Sequence, residues 1–376
     1  MKIAYIYFMS WVEAKRTDAS GVQKKISWQI DSLKRSGIDV VYMPVLSDRK
    51  IKKALPFETA TINWRKLKNR LLELDGVYLR YGLSDFQMIM LFREIKKQKP
   101  EFKVVIEMAS WPYDSEHRSR NMKNRILYAK DRRWRQKLNT ICDRVITYGK
   151  DNEILGVETI KTKNGIDMNR VRKRKPDLDK DTLDICFVAD FHIWHGADRL
   201  LFGLKDYYRK NGEKRIMLHF VGEGDPAVLD ELHTIAKSQE LKDHVIFYGL
   251  KSGEELDHIY NNCHLAVATL GGHRIGVQVF STLKTREYLA KGIPFFYGER
   301  IDVFLENPVD FAYKIENDDD TPVDFKRIVA FYENLYSKYG TEELTSMIRE
   351  YAVANVSMDS TLKDVVKYYK EGVVRV

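Results

Sequence analysis

Five short stretches of this sequence combine residue types at spacings that can do chemistry, and the most specific is Ser281-Thr282-Leu283-Lys284-Thr285-Arg286-Glu287. It opens a helical pattern that closes at Lys291-Gly292-Ile293-Pro294. Small polar residues at a helix start leave backbone N–H groups free, and Lys284 and Arg286 add point charges to the same end. Dipoles and cations converging in this way suit a diphosphate. Glu287 lies three positions after Lys284 on a similar face, where it can accept hydrogen bonds from a ribose. The same spacing also suits a surface helix with an i,i+3 ion pair.

The other stretches are less specific. Val221-Gly222-Glu223-Gly224-Asp225-Pro226 follows a strand pattern, and Gly222 and Gly224 suit either a ligand-lining loop or a tight turn. A third glycine is missing at the spacing a dinucleotide fingerprint needs. Asp18-Ala19-Ser20-Gly21-Val22-Gln23 leads from the first strand into a helix, with Ser20 as N-cap and Gly21 allowing close backbone approach. An ordinary helix start has the same composition. Glu107-Met108-Ala109-Ser110-Trp111-Pro112-Tyr113-Asp114-Ser115-Glu116 places carboxylates and rings after a strand. Trp111 and Tyr113 can cover apolar sugar faces while Glu107, Asp114 and Glu116 bind hydroxyls, or the rings can simply pack. His195, in Trp194-His195-Gly196, follows the first strand of the second half on the ligand side, where a structural histidine fits as well. The histidines form no HExxH or comparable ligand pattern.

The fifth stretch runs from Arg118 to Lys137, with Arg118, Arg120, Lys123, Arg125, Lys130, Arg132, Arg133, Arg135 and Lys137 set against Asp131. Ile126, Leu127, Trp134 and Leu138 give it an apolar stripe. A basic amphipathic helix of this kind suits an anionic membrane surface or a plain solvated face.

These stretches need elements to hold them. Each half opens on an apolar strand, Ile3 to Phe8 and Leu183 to Val188, after which strands alternate with patterns of period near 3.6. Alternation of this kind predicts two parallel sheets wrapped by helices, with ligands at the carboxyl ends of the strands. The boundaries expected are an N-terminal Rossmann-like domain over 1–175 and a C-terminal one over 176–350. Arg172-Lys173-Arg174-Lys175-Pro176-Asp177 would link them. The pattern is helical from about Phe325 onward.

Composition narrows the classes. At 376 residues the chain exceeds the usual size of one core. The net charge of +9 divides into +19 over residues 1–175 and −10 over the remainder, so the first half is suited to an anionic partner. Cys142, Cys186 and Cys263 lack CxxC spacing, which argues against a disulfide framework or zinc site and fits a reducing cytoplasm. No apolar run reaches the roughly 18 residues of a membrane span, and the N-terminal run is too short for a signal peptide. No nucleic-acid module is recognisable.

Taken together, Lys163-Asn164-Gly165-Ile166-Asp167, Phe187 to Arg199, His219 to Asp225, Ile246-Phe247-Tyr248-Gly249 and Leu283 to Pro294 resemble glycosyltransferase family 4 over nearly the whole chain. Trp111 to Glu116, Trp194 to Arg199 and Leu283 to Tyr288 are similar to enzymes of bacterial surface-polysaccharide assembly, capsule among them. The resemblance implies a retaining enzyme of α/β GT-B architecture, with two Rossmann-like domains facing each other across a cleft. It also implies that a C-terminal helix, 351–376, crosses back to the first domain. The donor diphosphate would lie over Ser281, Thr282, Leu283 and Lys284, with Glu287 on the ribose and the base near Phe247 and Tyr248. Gly222 and Gly224 would line the cleft, Gly21 would approach the donor, and the acceptor would lie near Glu107 to Glu116.

Two positions depart from the family. Its first glutamate, on the donor sugar, falls on Val279, with Gln278 and His273 as substitutes. Its arginine and lysine after the second domain's first strand fall on Asp190 and His195, leaving the phosphate charge to Lys284 with Arg286 or Arg199. The function expected is transfer of a hexosyl group from a nucleoside diphosphate sugar, UDP favoured over GDP, to a lipid-linked or polysaccharide acceptor. Lys284, Glu287 and His195 would be the catalytic residues. No DxD-type cluster stands in a suitable loop, so no metal and no further cofactor is expected. The setting would be cytoplasmic and peripheral, on the inner face of the plasma membrane through Arg118–Lys137. The alternatives are a non-catalytic GT-B partner of another transferase and a sugar-nucleotide epimerase.

Overall fold

The computed structural model describes residues 1–9, 21–46, 67–108, 111, 122–179, 181–276, 279–305, 308–315 and 319–371. It divides into two compact units, Met1–Lys163 with Met358–Val376, and Asn164–Ser357.

In the first unit β1 (Lys2–Met9), β2 (Asp39–Leu46), β3 (Gly76–Arg80), β4 (Lys103–Met108), β5 (Arg144–Thr147), β6 (Glu153–Ile154) and β7 (Val157–Lys161) form one sheet of order β2-β1-β3-β4-β5-β7-β6. Pairing is parallel except between β6 and β7. Ile3 to Ile6 and Val77 to Leu79 are fully buried, as expected of parallel strands covered on both faces. Helices α1 (Gly21–Arg35), α2 (Lys68–Leu72), α3 (Phe86–Gln98) and α4 (Met122–Arg135) belong to this unit. In α3 the Asp85 carboxylate accepts from the Met88 N–H at 2.8 Å, and the helix buries Met88, Leu91, Phe92 and Ile95 along one stripe.

The second unit repeats the plan with β8 (Thr182–Val188), β9 (Arg215–Val221), β10 (Val245–Phe247), β11 (Leu265–Val267), β13 (Phe295–Tyr297) and β15 (Ala312–Lys314). Their order is β10-β9-β8-β11-β13-β15, parallel throughout. The short β12 (Val279–Phe280) and β14 (Arg300–Ile301) pair separately. Its helices are α5 (Ala197–Arg209), α6 (Pro226–Ala236), α7 (Gly253–Asn262), α8 (Leu283–Lys291), α9 (Phe325–Tyr339) and α10 (Thr341–Asn355).

After α10 the chain enters the first unit as α11 (Met358–Thr361) and α12 (Lys363–Lys370). Met358, Leu362, Val365 and Tyr369 pack in one cluster with Ile3, Tyr5, Ile26 and Val105. The Tyr369 hydroxyl donates to the Val77 carbonyl at 2.8 Å, and the Lys103 ammonium caps α12 by donating to the carbonyls of Tyr368, Tyr369 and Glu371.

The structure corrects one sequence expectation here. Residues 172–177 are not a free linker but a strap on the second unit. Arg174 is buried, its N–H donates to Lys291 and its guanidinium to the Cys263 carbonyl and the Tyr336 hydroxyl. Asp177 donates its N–H to the Asn261 carbonyl at 2.9 Å. Among the described residues no helix is long and apolar enough to cross a membrane.

Candidate functional site

In an open parallel sheet the crevice for a ligand lies where the strand order reverses, outside the carboxyl ends. The second unit reverses between β8 and β11, and the loops following those strands meet. Leu270 donates its N–H to the His195 carbonyl at 3.0 Å, and Gly271 donates to Trp194 at 3.2 Å. Gly196 sits at φ +67°, and a Cβ there would stand 2.8 Å from the Leu270 carbonyl carbon, so the meeting of the two loops requires glycine.

Lys284 stands in this crevice. Its stem is half-exposed, but its ammonium is buried without a hydrogen-bond partner, 5.0 Å from the centre of the Phe187 ring. Burial pulls its pKa down to about 7, opposed by the charge of Glu299. Around it α8 starts openly: Thr282 is the N-cap in extended conformation, and no side chain caps the first-turn N–H groups. His195 is buried beside the same Phe187 ring, 6.4 Å between centres, and its Nδ1 accepts from the His192 N–H at 3.1 Å. That bond leaves its proton on Nε2. Burial, then the charges of Lys284 and His192, press its pKa to about 2, so it acts as a neutral imidazole.

The arginines expected to share the phosphate charge are both engaged within the protein. Arg286 is fully buried and donates to the Asn164 carbonyl, the Ser281 hydroxyl and both oxygens of Asp302 at 2.5 Å. It is a buttress that holds Ser281 and the start of α8. Arg199 is likewise buried, donating to the carbonyls of Thr321 and Leu270. Both sequence expectations are corrected: an isolated guanidinium in an apolar interior must be paired, and these two are. Glu287 is half-buried, and its charge acts on the Tyr260 and Tyr288 hydroxyls.

Gly222 and Gly224 have a nearer cause than a ligand. A Cβ at Gly222, φ +130°, would stand 1.9 Å from the Ala189 carbonyl oxygen, and one at Gly224 2.2 Å from that of Phe191. They let the loop after β9 lie against the loop after β8. Phe247 stacks on Phe220 at 5.0 Å, and the Tyr248 hydroxyl bonds His219 Nδ1, whose Nε2 meets Asp184 at 2.9 Å. Val279 is 41% exposed, while Gln278 lies outside the described residues.

Sequence reasoning missed Glu299. It follows β13, is 7% exposed, and its Oε1 accepts from the Gly272 N–H while Oε2 is buried without a partner. Burial raises its pKa. Nothing in its local sequence marks it, because its partner lies 27 positions away.

The first unit reverses between β1 and β3, and a different arrangement fills that end of the sheet. Glu107, buried on β4, accepts from the Tyr78 hydroxyl at 2.5 Å, the Tyr148 hydroxyl at 2.7 Å and the Gln29 amide at 3.0 Å. It also accepts from the Lys25 ammonium at 3.2 Å and from Arg80 at 3.4 Å. Lys25 and Arg80 hold its carboxyl well below the usual range despite burial, and burial pushes the three hydroxyls of Tyr5, Tyr78 and Tyr148 up. A carboxylate so fully engaged is no free ligand for acceptor hydroxyls, which corrects that expectation for Glu107. Trp111 is half-buried with Arg135 5.4 Å from its ring centre. Tyr113, Asp114 and Glu116 lie outside the described residues, as do Asp18 and Ser20. Gly21 is the first residue of α1.

The basic stretch is helical over α4, with Arg118 and Arg120 outside the described residues. Its apolar residues do not form one outward stripe: Leu138 is fully buried and Trp134 packs on the core, whereas Ile126 is 51% exposed. Asp131 is buried and accepts from the Tyr81 hydroxyl at 2.6 Å and the Ser84 N–H at 2.7 Å, anchoring the helix. Arg125, Arg132, Arg133 and Lys137 face outward.

The two α/β units with parallel sheets match the fold of solved GT-B glycosyltransferase structures. Residues 169–276 match the model of Glycosyl transferases group 1, a span that ends before α8. The chain is similar to a glycosyltransferase from Rickettsia africae, at 10% identity and TM-score 0.65, over 100% of this chain and 99% of that one. It is also similar to Anabaena HepE in complex with UDP, at 12% identity and TM-score 0.62, over 98% and 100%. A third likeness is sucrose-phosphate synthase from Thermosynechococcus elongatus, at 15% identity and TM-score 0.61, over 98% of each chain. No curated protein sequence matches this chain.

Proposed function

We propose that this chain is a retaining glycosyltransferase that moves a hexosyl group from a nucleoside diphosphate sugar to a lipid-linked or polysaccharide acceptor. The observation that carries the reading is the Lys284 ammonium, buried without a hydrogen-bond partner beside the open start of α8. A buried cation without a partner is costly, and a diphosphate would supply the missing charge. Rotation of the half-exposed stem would bring the ammonium onto the phosphate oxygens, while the free N–H groups of α8 bind the same oxygens. Charge developing on the leaving diphosphate would then be stabilised by groups already in place. The leaving group itself would assist deprotonation of the acceptor during front-face attack. His195, held neutral, would donate from Nε2, and Glu287 would take the ribose.

HepE has been captured with UDP and with UDP-glucose, which supports a uridine donor. Because a protein ammonium supplies the cation, binding is expected to be indifferent to a chelator. The outward basic face of α4 would rest on the anionic inner face of the plasma membrane, each charge contributing about 1 kcal/mol. A second reading, a non-catalytic binding subunit, is favoured by exposed Val279 where the family carries a glutamate. Thermal stabilisation by UDP, GDP, ADP and CMP, with and without EDTA, tests nucleotide binding. A shift with one nucleoside diphosphate that persists in EDTA and vanishes in Lys284→Ala supports the reading, and no shift with any of them sinks it. Sugar transfer by the purified chain alone separates enzyme from binding subunit.

A further inference from the structure

Glu299 gives the Lys284 site a second half. Its side chain projects from the carboxyl end of β13, next to β11 in the sheet, and reaches the loop after β11. The Gly272 N–H fixes Oε1, and a Cβ at Gly272 would stand 2.7 Å from the Glu299 Cγ and 2.4 Å from the Phe280 ring. The carboxyl group is therefore clamped in one orientation. Oε2 nonetheless has no partner, and neither has the Lys284 ammonium. The charge of Glu299 acts on the Lys284 ammonium, yet among the described residues no ion pair joins them. Buried polar atoms are nearly always satisfied, so two orphans in one crevice point to a polar molecule that satisfies both.

We propose that Glu299 Oε2 accepts a hydrogen bond from a hydroxyl of the donor's sugar while Lys284 meets its diphosphate, making Glu299 a determinant of sugar recognition. This rests on the nucleotide-sugar reading of the same crevice. A nucleoside diphosphate lacking its sugar reaches Lys284 but leaves Oε2 unbonded, so the two ligands separate the two residues.

The test is calorimetric titration of the full chain with UDP, UDP-glucose and UDP-galactose, with GDP and GDP-mannose as a second set. Wild type is compared with Glu299→Gln, whose amide oxygen can still accept from Gly272. The expected result is an unchanged dissociation constant for the nucleoside diphosphate and a roughly tenfold weaker one for its hexose conjugate, the loss of a single bond to a charged acceptor. Equal weakening of both ligands, or of neither, overturns the assignment. No binding of either nucleoside diphosphate to wild type overturns the nucleotide-sugar reading instead. If the glutamine variant does not fold, Glu299→Asp keeps the charge and shortens the reach, and must show the same selective loss.

Discussion

The two sheets reverse strand order in the same way, but the carboxyl ends of their central strands are finished differently. In the first unit Glu107 receives five donors from α1, β3, β4's neighbours and Tyr148, and its charge is fully engaged. In the second unit Glu299 Oε2 has no hydrogen-bond partner, and neither has the Lys284 ammonium, which lies over the Phe187 ring. Burial is similar, so the difference lies in satisfaction. A saturated buried charge fixes a fold, whereas an unsatisfied one waits for a ligand. Arg286 with Asp302 shows that the second unit also pairs its charges where the role is structural.

Substitutions at the two ends should therefore act on different quantities, binding at one and stability at the other. The largest effect is expected from Lys284→Ala, which should lower nucleoside diphosphate affinity by about two orders of magnitude through loss of a charge-assisted contact, read by calorimetry. Glu107→Gln should leave that affinity intact but cost about 3–5 kcal/mol in urea unfolding, because Lys25 and Arg80 lose their carboxylate. Its pH dependence follows from the depressed pKa in the fold. The Glu107 contribution is present above the unfolded value near 4.3 and is lost as pH falls through the lower folded one, so the glutamine variant should lack this acid-sensitive part.

A subtler effect belongs to Lys284. Its folded pKa of about 7 lies below the unfolded value of 10.5, so folded and unfolded chains both hold the proton below pH 7. Between pH 7 and about 10.5 only the unfolded chain holds it, and the stability contributed by this group rises with pH across that window. Diphosphate binding at pH 8.5 should therefore take up close to one proton, and at pH 5.5 none through this group, in titrations across buffers of different ionisation enthalpy. The smallest effect is expected from Tyr248→Phe, which removes a half-buried hydroxyl from His219 and should cost about 1 kcal/mol with little change in binding.

Much of the architecture was legible because strand and helix periods are local. Ile3 to Phe8 and, but for Asp184, Leu183 to Val188 announce parallel strands by their apolar runs, and the start of α8 gathers its polar residues in a short span. Pairing is not local. Arg286 and Arg199 look like phosphate ligands by type and position, and only Asp302 and the Thr321 and Leu270 carbonyls reveal them as structural. Lys25 and Glu107 meet across 82 positions, and Glu299 meets Gly272 across 27, so neither cluster leaves a motif. The stripe in α4 misled for a related reason: Trp134 and Leu138 share its period but turn toward the core.

If the Lys284 charge is unsatisfied until a diphosphate binds, the Lys284→Met substitution has a defined signature in one melting experiment with and without UDP. Removal of an unpaired buried ammonium in favour of an apolar chain of similar length is expected to raise the ligand-free melting point, by about 1–2 kcal/mol of stability, and to abolish the shift with UDP. A variant that melts lower than wild type yet keeps its UDP shift would show that Lys284 is a structural cation and that the diphosphate binds elsewhere.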